Sequence, residues 1–123
     1  MEEPKNSYDT IAIFDESALG QLHELQVQGQ PGFVAGLLAA YLGQLKVLSE
    51  EMQSLEKIGD AKGLEQTAHQ LKSSSVVLGL ARVAAICVAV EQLARKGSAT
   101  TADVHSLQTA TALTIAKLEN YLS

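Results

Sequence analysis

Seven residues in the first half of the chain do most to limit its fold. Val34, Leu38, Tyr41, Leu45, Leu48, Met52 and Leu55 recur at steps of 4, 3, 4, 3, 4 and 3. An apolar seam that alternates in this way over about three heptads is a helix with one buried stripe, the kind that packs in antiparallel bundles. Gly59 and Asp60 follow directly, one suited to ending a helix and the other to capping the next, so the connection is tight and the neighbouring helix runs back. That next helix, about Ala61 to Leu78, carries Leu64, Ala68, Leu71, Ser75 and Leu78 on its inner seam and is broken by Gly79. A further helix, about Leu80 to Lys96, buries Val83, Ile86, Cys87, Val90, Leu93 and Ala94. After the linker GSATTAD, with Thr100 and Thr101 as cap candidates, Val104, Leu107, Thr111, Thr114, Leu118 and Tyr121 repeat the seam at steps of 3, 4, 3, 4 and 3.

Upstream, Asp15 can cap a short helix over about Glu16 to Gln28, with Phe14 and Leu19 as a staple across the cap and Leu19, Leu22 and Leu25 as its apolar side. The GQPG stretch at 29–32 ends it, and Pro31 suits the first turn of the long helix. No strand pattern or internal repeat competes with these helices. The expected fold is all-α, an antiparallel four-helix bundle with a short additional N-terminal helix. Residues 1–10 are expected to be a flexible tail and residues 11–123 a single domain. With two Phe, three Tyr and no Trp, the core must be built from Leu, Ile, Val and Ala, as packed helices allow.

Charge and cysteine usage exclude several classes of function. The net charge is −5; residues 1–60 hold ten acids against three bases, and residues 61–123 hold four acids against six bases. An acidic chain with no basic stripe is not a nucleic-acid binder. The lone Cys87 cannot close an internal disulfide, reads as a small buried hydrophobe, and suits a reducing compartment. The start, MEEPKNSYDT, is unlike a signal peptide, and the longest apolar stretch, Ser75 to Val90, is too short and interrupted to span a bilayer. A soluble, cytoplasmic protein without a membrane partner is expected.

Against that background one stretch is out of place: AHQLKSSSVVLGL, residues 68–80, sets a histidine and a lysine among small polar residues in mid-helix. At about 100° per residue, His69 falls roughly 140° from the buried seam, on the solvent side. Glu65, Lys72, Ser73 and Val76 surround it, one turn to either side. His69 is therefore expected to be exposed, whereas His23 and His105 have nothing beside them that suggests chemistry and read as ordinary surface histidines. An ordinary imidazole, with a pKa of about 6.5, is mostly neutral at pH 7 and offers a nucleophilic nitrogen. No serine elbow, glycine-rich loop or buried acid is apparent to make a hydrolase, and the inward carboxylates of a bundle di-metal site are missing. The neighbours suit the receipt and release of a phosphoryl group. Lys72 can offset charge on phosphate oxygens, Ser73 is small enough for close approach, and Glu65 has the spacing to orient the other ring nitrogen.

The same stretch resembles the signature of the histidine-containing phosphotransfer (HPt) domain, A-H-x-L-K-G-S-S-x-x-x-G followed by Ala or Leu. Ala68, His69, Leu71, Lys72, Ser74, Ser75, Gly79 and Leu80 fit it, and ARVAAICVAVEQLARKG resembles the helix that follows. The likeness extends in architecture over about residues 15–122. It implies a phosphorelay intermediate: His69 accepts a phosphoryl group from the aspartyl phosphate of a response-regulator receiver domain, through Nε2, and a second receiver aspartate removes it. It implies that Lys72 compensates phosphate charge and that Arg95, where a relative has a basic residue, supports the site. The docking surface would comprise Glu65, Ser73, Val76 and Arg95. The chain would bind no cofactor or metal of its own, the Mg²⁺ belonging to the receiver. Its partners would be receiver domains and a hybrid histidine kinase. Lacking a kinase ATP-binding motif, it would be a covalent carrier rather than an enzyme, and a monomer. One departure is Ser73, where the family has glycine. It favours the alternative reading, a helical adaptor that binds receiver or kinase domains without accepting phosphate.

Overall fold

In the computed structural model, residues 7–15, 17–18, 20–21, 24 and 32–122 are described, the side chains of 121 and 122 excepted. Four helices account for most of them: α1 (Phe33–Ile58), α2 (Ala61–Val77), α3 (Ala81–Arg95) and α4 (Thr101–Leu122). α1 packs on α2, α2 on α3, α3 on α4 and α4 back on α1, so the four close into a ring around one core. The short connections force each helix to run against the one before it.

The seams account for the burial. On α1, Val34, Leu38, Tyr41, Leu45, Leu48 and Met52 are buried, with Leu55 half-buried at the end. Leu64, Ala68, Leu71 and Ser75 are buried on α2, and Val83, Ile86, Cys87, Val90 and Ala94 on α3, where Leu93 is only half-buried. Val104, Leu107, Thr111, Thr114 and Leu118 face inward from α4; the side chain of Tyr121 lies outside the described residues. The hydroxyls on these seams are all satisfied, since an unpaired buried hydroxyl would be costly. Ser75 Oγ donates to Leu71 O at 2.7 Å and lies 2.8 Å from Tyr41 Oη, so the phenol donates to the serine across the α1–α2 interface. Burial pushes the Tyr41 phenol pKa well up. Thr114 bonds back to Ala110 O at 2.7 Å, and Thr111 reaches Ser49 Oγ. Cys87 is buried, and burial pushes its thiol up to about 12.

Among the described residues, α1 is the one helix long and apolar enough to cross a membrane by length and composition, a property expected of no segment of this sequence. Its large apolar side chains are directed mainly into the bundle, which is what a core helix requires.

Asp60 caps α2 by accepting the Gly63 N–H at 2.9 Å, and Gly59, at φ 75°, closes α1. The additional N-terminal helix falls largely on residues outside those described. Its expected cap is present, because Asp15 Oδ1 accepts the Ser17 N–H at 3.0 Å. Residues 7–10 differ from the flexible tail expected there. Ser7–Thr10 form a 3₁₀ turn, Tyr8 donates to Asp103 Oδ1 at 2.7 Å, and Arg82 holds the carbonyls of Ile11 and Asp9 at 2.7 and 3.0 Å. An arginine at the start of α3 thus gathers the incoming chain through its backbone, an anchor with no periodicity to reveal it.

The α2–α3 turn bears most on function. Gly79 sits at φ 72° and its carbonyl accepts the Asp15 N–H at 2.6 Å. A Cβ at this position would lie 2.5 Å from Ala18 Cβ and 3.2 Å from Asp15 O, whereas one at Gly97, at φ 71°, would meet nothing within 4 Å. Both positions carry the left-handed penalty, but only Gly79 adds a collision. We therefore expect Gly97→Ala to cost about 1 kcal/mol and Gly79→Ala about 2–4 kcal/mol, read from urea unfolding midpoints. Equal losses in the two variants would show that the chain around Ala18 yields freely.

Candidate functional site: an anchored, exposed histidine

α2 and α3 form a helical hairpin about Leu80, and equal distance from that turn pairs their residues. His69 and Glu91 are each eleven positions away, and Glu65 and Arg95 each fifteen (80 − 69 = 91 − 80; 80 − 65 = 95 − 80). The side chains meet accordingly. His69 Nδ1 lies 2.8 Å from Glu91 Oε2, and Lys72 Nζ donates to Glu91 Oε1 at 3.1 Å. Arg95 donates from Nε to Glu65 Oε2 at 2.9 Å and from its terminal nitrogen to Glu91 Oε2 at 3.2 Å.

The exposures of these groups differ in a way that matters chemically. The His69 side chain is 59% exposed and that of Glu91 only 10%. The histidine is thus on the surface, as its angle from the seam predicts, but its anchor is not. A carboxylate facing a ring nitrogen accepts the N–H, so Nδ1 carries the proton and Nε2 keeps its lone pair. The carboxylate–imidazole pairing thereby fixes both the tautomer and the ring orientation, as second-sphere partners of reactive histidines do. Nε2 is the nitrogen left free to react.

Burial alone would raise the Glu91 pKa. Hydrogen bonds and charge from Lys72 and His69 outweigh that, and hold the carboxyl below its usual value. Glu91 therefore stays ionised as the common acceptor of three cationic or N–H groups, an arrangement in which its own burial is compensated.

The residues singled out in the sequence fall as follows. Lys72 is beside the imidazole, with its ammonium on Glu91. Ser73 and Val76 are exposed on the same side, Val76 at 62%. The hydroxyl of Ser73 is turned back, donating to His69 O at 3.0 Å. Arg95 lies at the rim with its side chain 60% exposed. Glu65 does not orient the ring. Its carboxylate holds Arg95, because the straight run of the hairpin places it opposite that residue and Glu91 opposite His69. The expectation that no buried acid serves the histidine is likewise corrected by Glu91. The signal for Glu91 was present in its equal spacing about Leu80 and in its place one turn beyond buried Cys87, at the edge of the core stripe. Val88, one turn before Glu91 on α3, is 38% exposed and was not singled out in the sequence. Of the other histidines, His105 is exposed and unconnected to this group, while His23 lies outside the described residues. Among the described residues no cluster of three or more His, Cys, Asp or Glu is placed to hold a metal ion.

With this geometry established, the sequence matches the Hpt domain family over residues 36–122. The chain belongs to the Hpt domain family. Histidine-containing phosphotransfer protein 2 of Arabidopsis thaliana is 30% identical over 90 residues, which cover 68% of this chain and 58% of that protein. Histidine-containing phosphotransfer protein 5 of the same plant is 32% identical over 82 residues, covering 64% and 52%. The chain thus spans a little over half the length of these curated relatives. In fold, the Hpt domain is similar to the crystal structure of histidine-containing phosphotransfer protein B from Pseudomonas aeruginosa PAO1. The TM-score is 0.83 at 21% identity, over 92% of this chain and 96% of the other.

The Glu91 contacts imply a pH dependence. A carboxyl whose folded pKa is depressed contributes stability that is fully present above its unfolded value, about 4.3 for Glu, and lost as pH falls through the lower folded value. Glu91→Gln removes that contribution. The wild type should exceed the variant in urea stability at pH 7, with the gap narrowing once the pH falls below about 4. A gap that does not change between pH 7 and pH 2.5 would mean that the ionised carboxylate adds nothing.

Proposed function

We propose that this Hpt domain is a covalent phosphocarrier that relays a phosphoryl group between the aspartates of response-regulator receiver domains through a phosphohistidine at His69. The observation that carries the reading is the imidazole itself, exposed at Nε2 and fixed at Nδ1 by buried Glu91. Nε2 attacks the phosphorus of an aspartyl phosphate as the carboxylate departs, and a second aspartate reverses the step. Such transfers depend on positioning and charge compensation more than on covalent machinery.

Lys72 and Arg95 supply the compensation. Both already lie within reach of Glu91 beside the ring and can turn toward phosphate oxygens. Val76, Ser73 and Glu65 form the docking surface with Arg95, an apolar and small centre beside a charged rim suited to a transient encounter. The turned-back Ser73 hydroxyl supports a carrier over an adaptor, since only the Cβ of that residue adds bulk beside the histidine. In this reading the Mg²⁺ belongs to the receiver, this chain holds no cofactor or ATP site, and it acts as a cytoplasmic monomer with receivers and a hybrid kinase as partners.

Incubation with a panel of phosphorylated receiver domains tests the assignment. The label should be acid-labile, stable to base and absent from His69→Ala, whose helical circular dichroism should match the wild type because the side chain is exposed. Full labelling of that variant would rule His69 out. Lys72→Ala should retain labelling at a rate roughly tenfold or more lower; an unchanged rate would make the lysine a solvated charge alone.

A further inference from the structure

Resting on the phosphocarrier reading, we infer that Glu91 is a positioning residue whose negative charge keeps a proton on Nδ1 of His69 after phosphorylation, so that the phosphoryl group leaves from an imidazolium. In the free protein Nδ1 bears a hydrogen and Nε2 a lone pair. When Nε2 attacks an acyl phosphate, the N–P bond forms from that lone pair. The P–O bond breaks, and the carboxylate departs with its electrons. The Nδ1 proton is not consumed, so the ring becomes a phosphoimidazolium with one positive charge. In the return step an attacking carboxylate forms the new O–P bond, and the N–P electrons fall back onto Nε2. A neutral imidazole leaves readily, whereas a phosphoimidazole that has lost its Nδ1 proton must leave as imidazolate, a far poorer leaving group. Whatever keeps the Nδ1 proton in place therefore governs release.

Glu91 is built for that task. Its Oε2 is 2.8 Å from Nδ1. Its side chain is nearly buried, which strengthens the attraction between the ring charge and the carboxylate. The groups that face the pair from the two packed helices are Glu65 and Lys72 on α2, and Cys87 and Arg95 on α3. Lys72 and Arg95 oppose a charge on the ring while they remain on Glu91. When the phosphoryl group draws them outward, the carboxylate is left to the imidazolium alone. Cys87 stays neutral, and the charge of Glu65 is taken by Arg95. Phosphorylation thus redistributes the two cations and leaves the Glu91–Nδ1 pair in place.

Glu91→Gln is the informative change, because the amide oxygen can still accept the Nδ1–H but carries no charge. Wild type and variant would be phosphorylated at His69 with a small phosphoramidate salt, without any receiver. Loss of the phosphoryl group to water, and separately to an added receiver domain, would be followed from pH 6 to pH 9. Both rates should fall as pH rises, with the variant's fall beginning at lower pH. A carboxylate at hydrogen-bond distance is worth about one pH unit, so on the falling limb the variant should be roughly three- to tenfold slower. The two rates should converge at pH 6. Superimposable pH profiles would overturn the inference, even if receivers accept phosphate normally. Refusal of phosphate by every receiver, with the hydrolysis profiles displaced as expected, would uphold the role of Glu91 and defeat the relay reading instead. No labelling at His69 would defeat both. If the variant does not fold, ¹⁵N spectra of the phosphorylated wild type decide: a protonated Nδ1 at pH 7.5 is required, and a bare Nδ1 there overturns the proposal.

Discussion

The contact on which the site depends is the shared Glu91 carboxylate. A nearly buried acid would ordinarily be neutral or excluded from such a position, because desolvation disfavours its charge. Here an imidazole N–H, an ammonium and a guanidinium all converge on it, from two helices, and the charge is retained. The consequence runs outward. Because Glu91 is fixed on α3, His69 can stand on the surface of α2 without rotating freely. Because His69 donates from Nδ1, its other nitrogen faces solvent. The nitrogen left open is thus defined by a residue whose own side chain is only 10% exposed.

That contact exists only because the two helices meet in one register. Gly79 accepts a left-handed conformation and close approach by Asp15 and Ala18, so the turn between the two helices is short. From there the pairing follows by equal rise along two antiparallel helices, Glu91 to His69 and Arg95 to Glu65. A slip of one residue would turn each side chain by about 100° and dissolve both pairs. The Ser75–Tyr41 hydrogen bond pins the same stretch of α2 to α1 from the opposite face. The register of the site and that of the core are therefore one constraint.

Much of this was legible in the sequence, for a simple reason. A seam of large apolar residues at alternating steps of three and four has one economical solution, and the order of seams with Gly59–Asp60 and Gly79 between them gives the bundle. His69 was legible by its angle from the α2 seam. Glu91 was harder to read, because a single acid beside a core stripe looks like any solvated residue until the turn at Gly79 and Leu80 pairs it with the residue equally distant on α2. Glu65 misled for the converse reason: its spacing along α2 is right for His69, but a side chain on a neighbouring helix reached the ring nitrogen instead. Backbone anchors such as Arg82 on Ile11 and Asp9 leave no pattern at all, since carbonyls are the same in every residue.

Exposure and fixation are usually in conflict, and the hairpin reconciles them by dividing the imidazole between two environments. A histidine buried at both nitrogens would be well oriented and inaccessible to a second protein. One free at both would be accessible but would lose rotamer entropy and tautomer definition at every encounter. Holding Nδ1 at a buried carboxylate settles orientation before a partner arrives, while Nε2 and the low relief of Ser73 and Val76 leave room for a folded domain to approach. In the proposed relay, where a group is taken from one protein and given to another through the same atom, an open face on a pre-oriented ring serves both directions equally. The closed cleft of a hydrolase would favour water exclusion at the expense of the second partner.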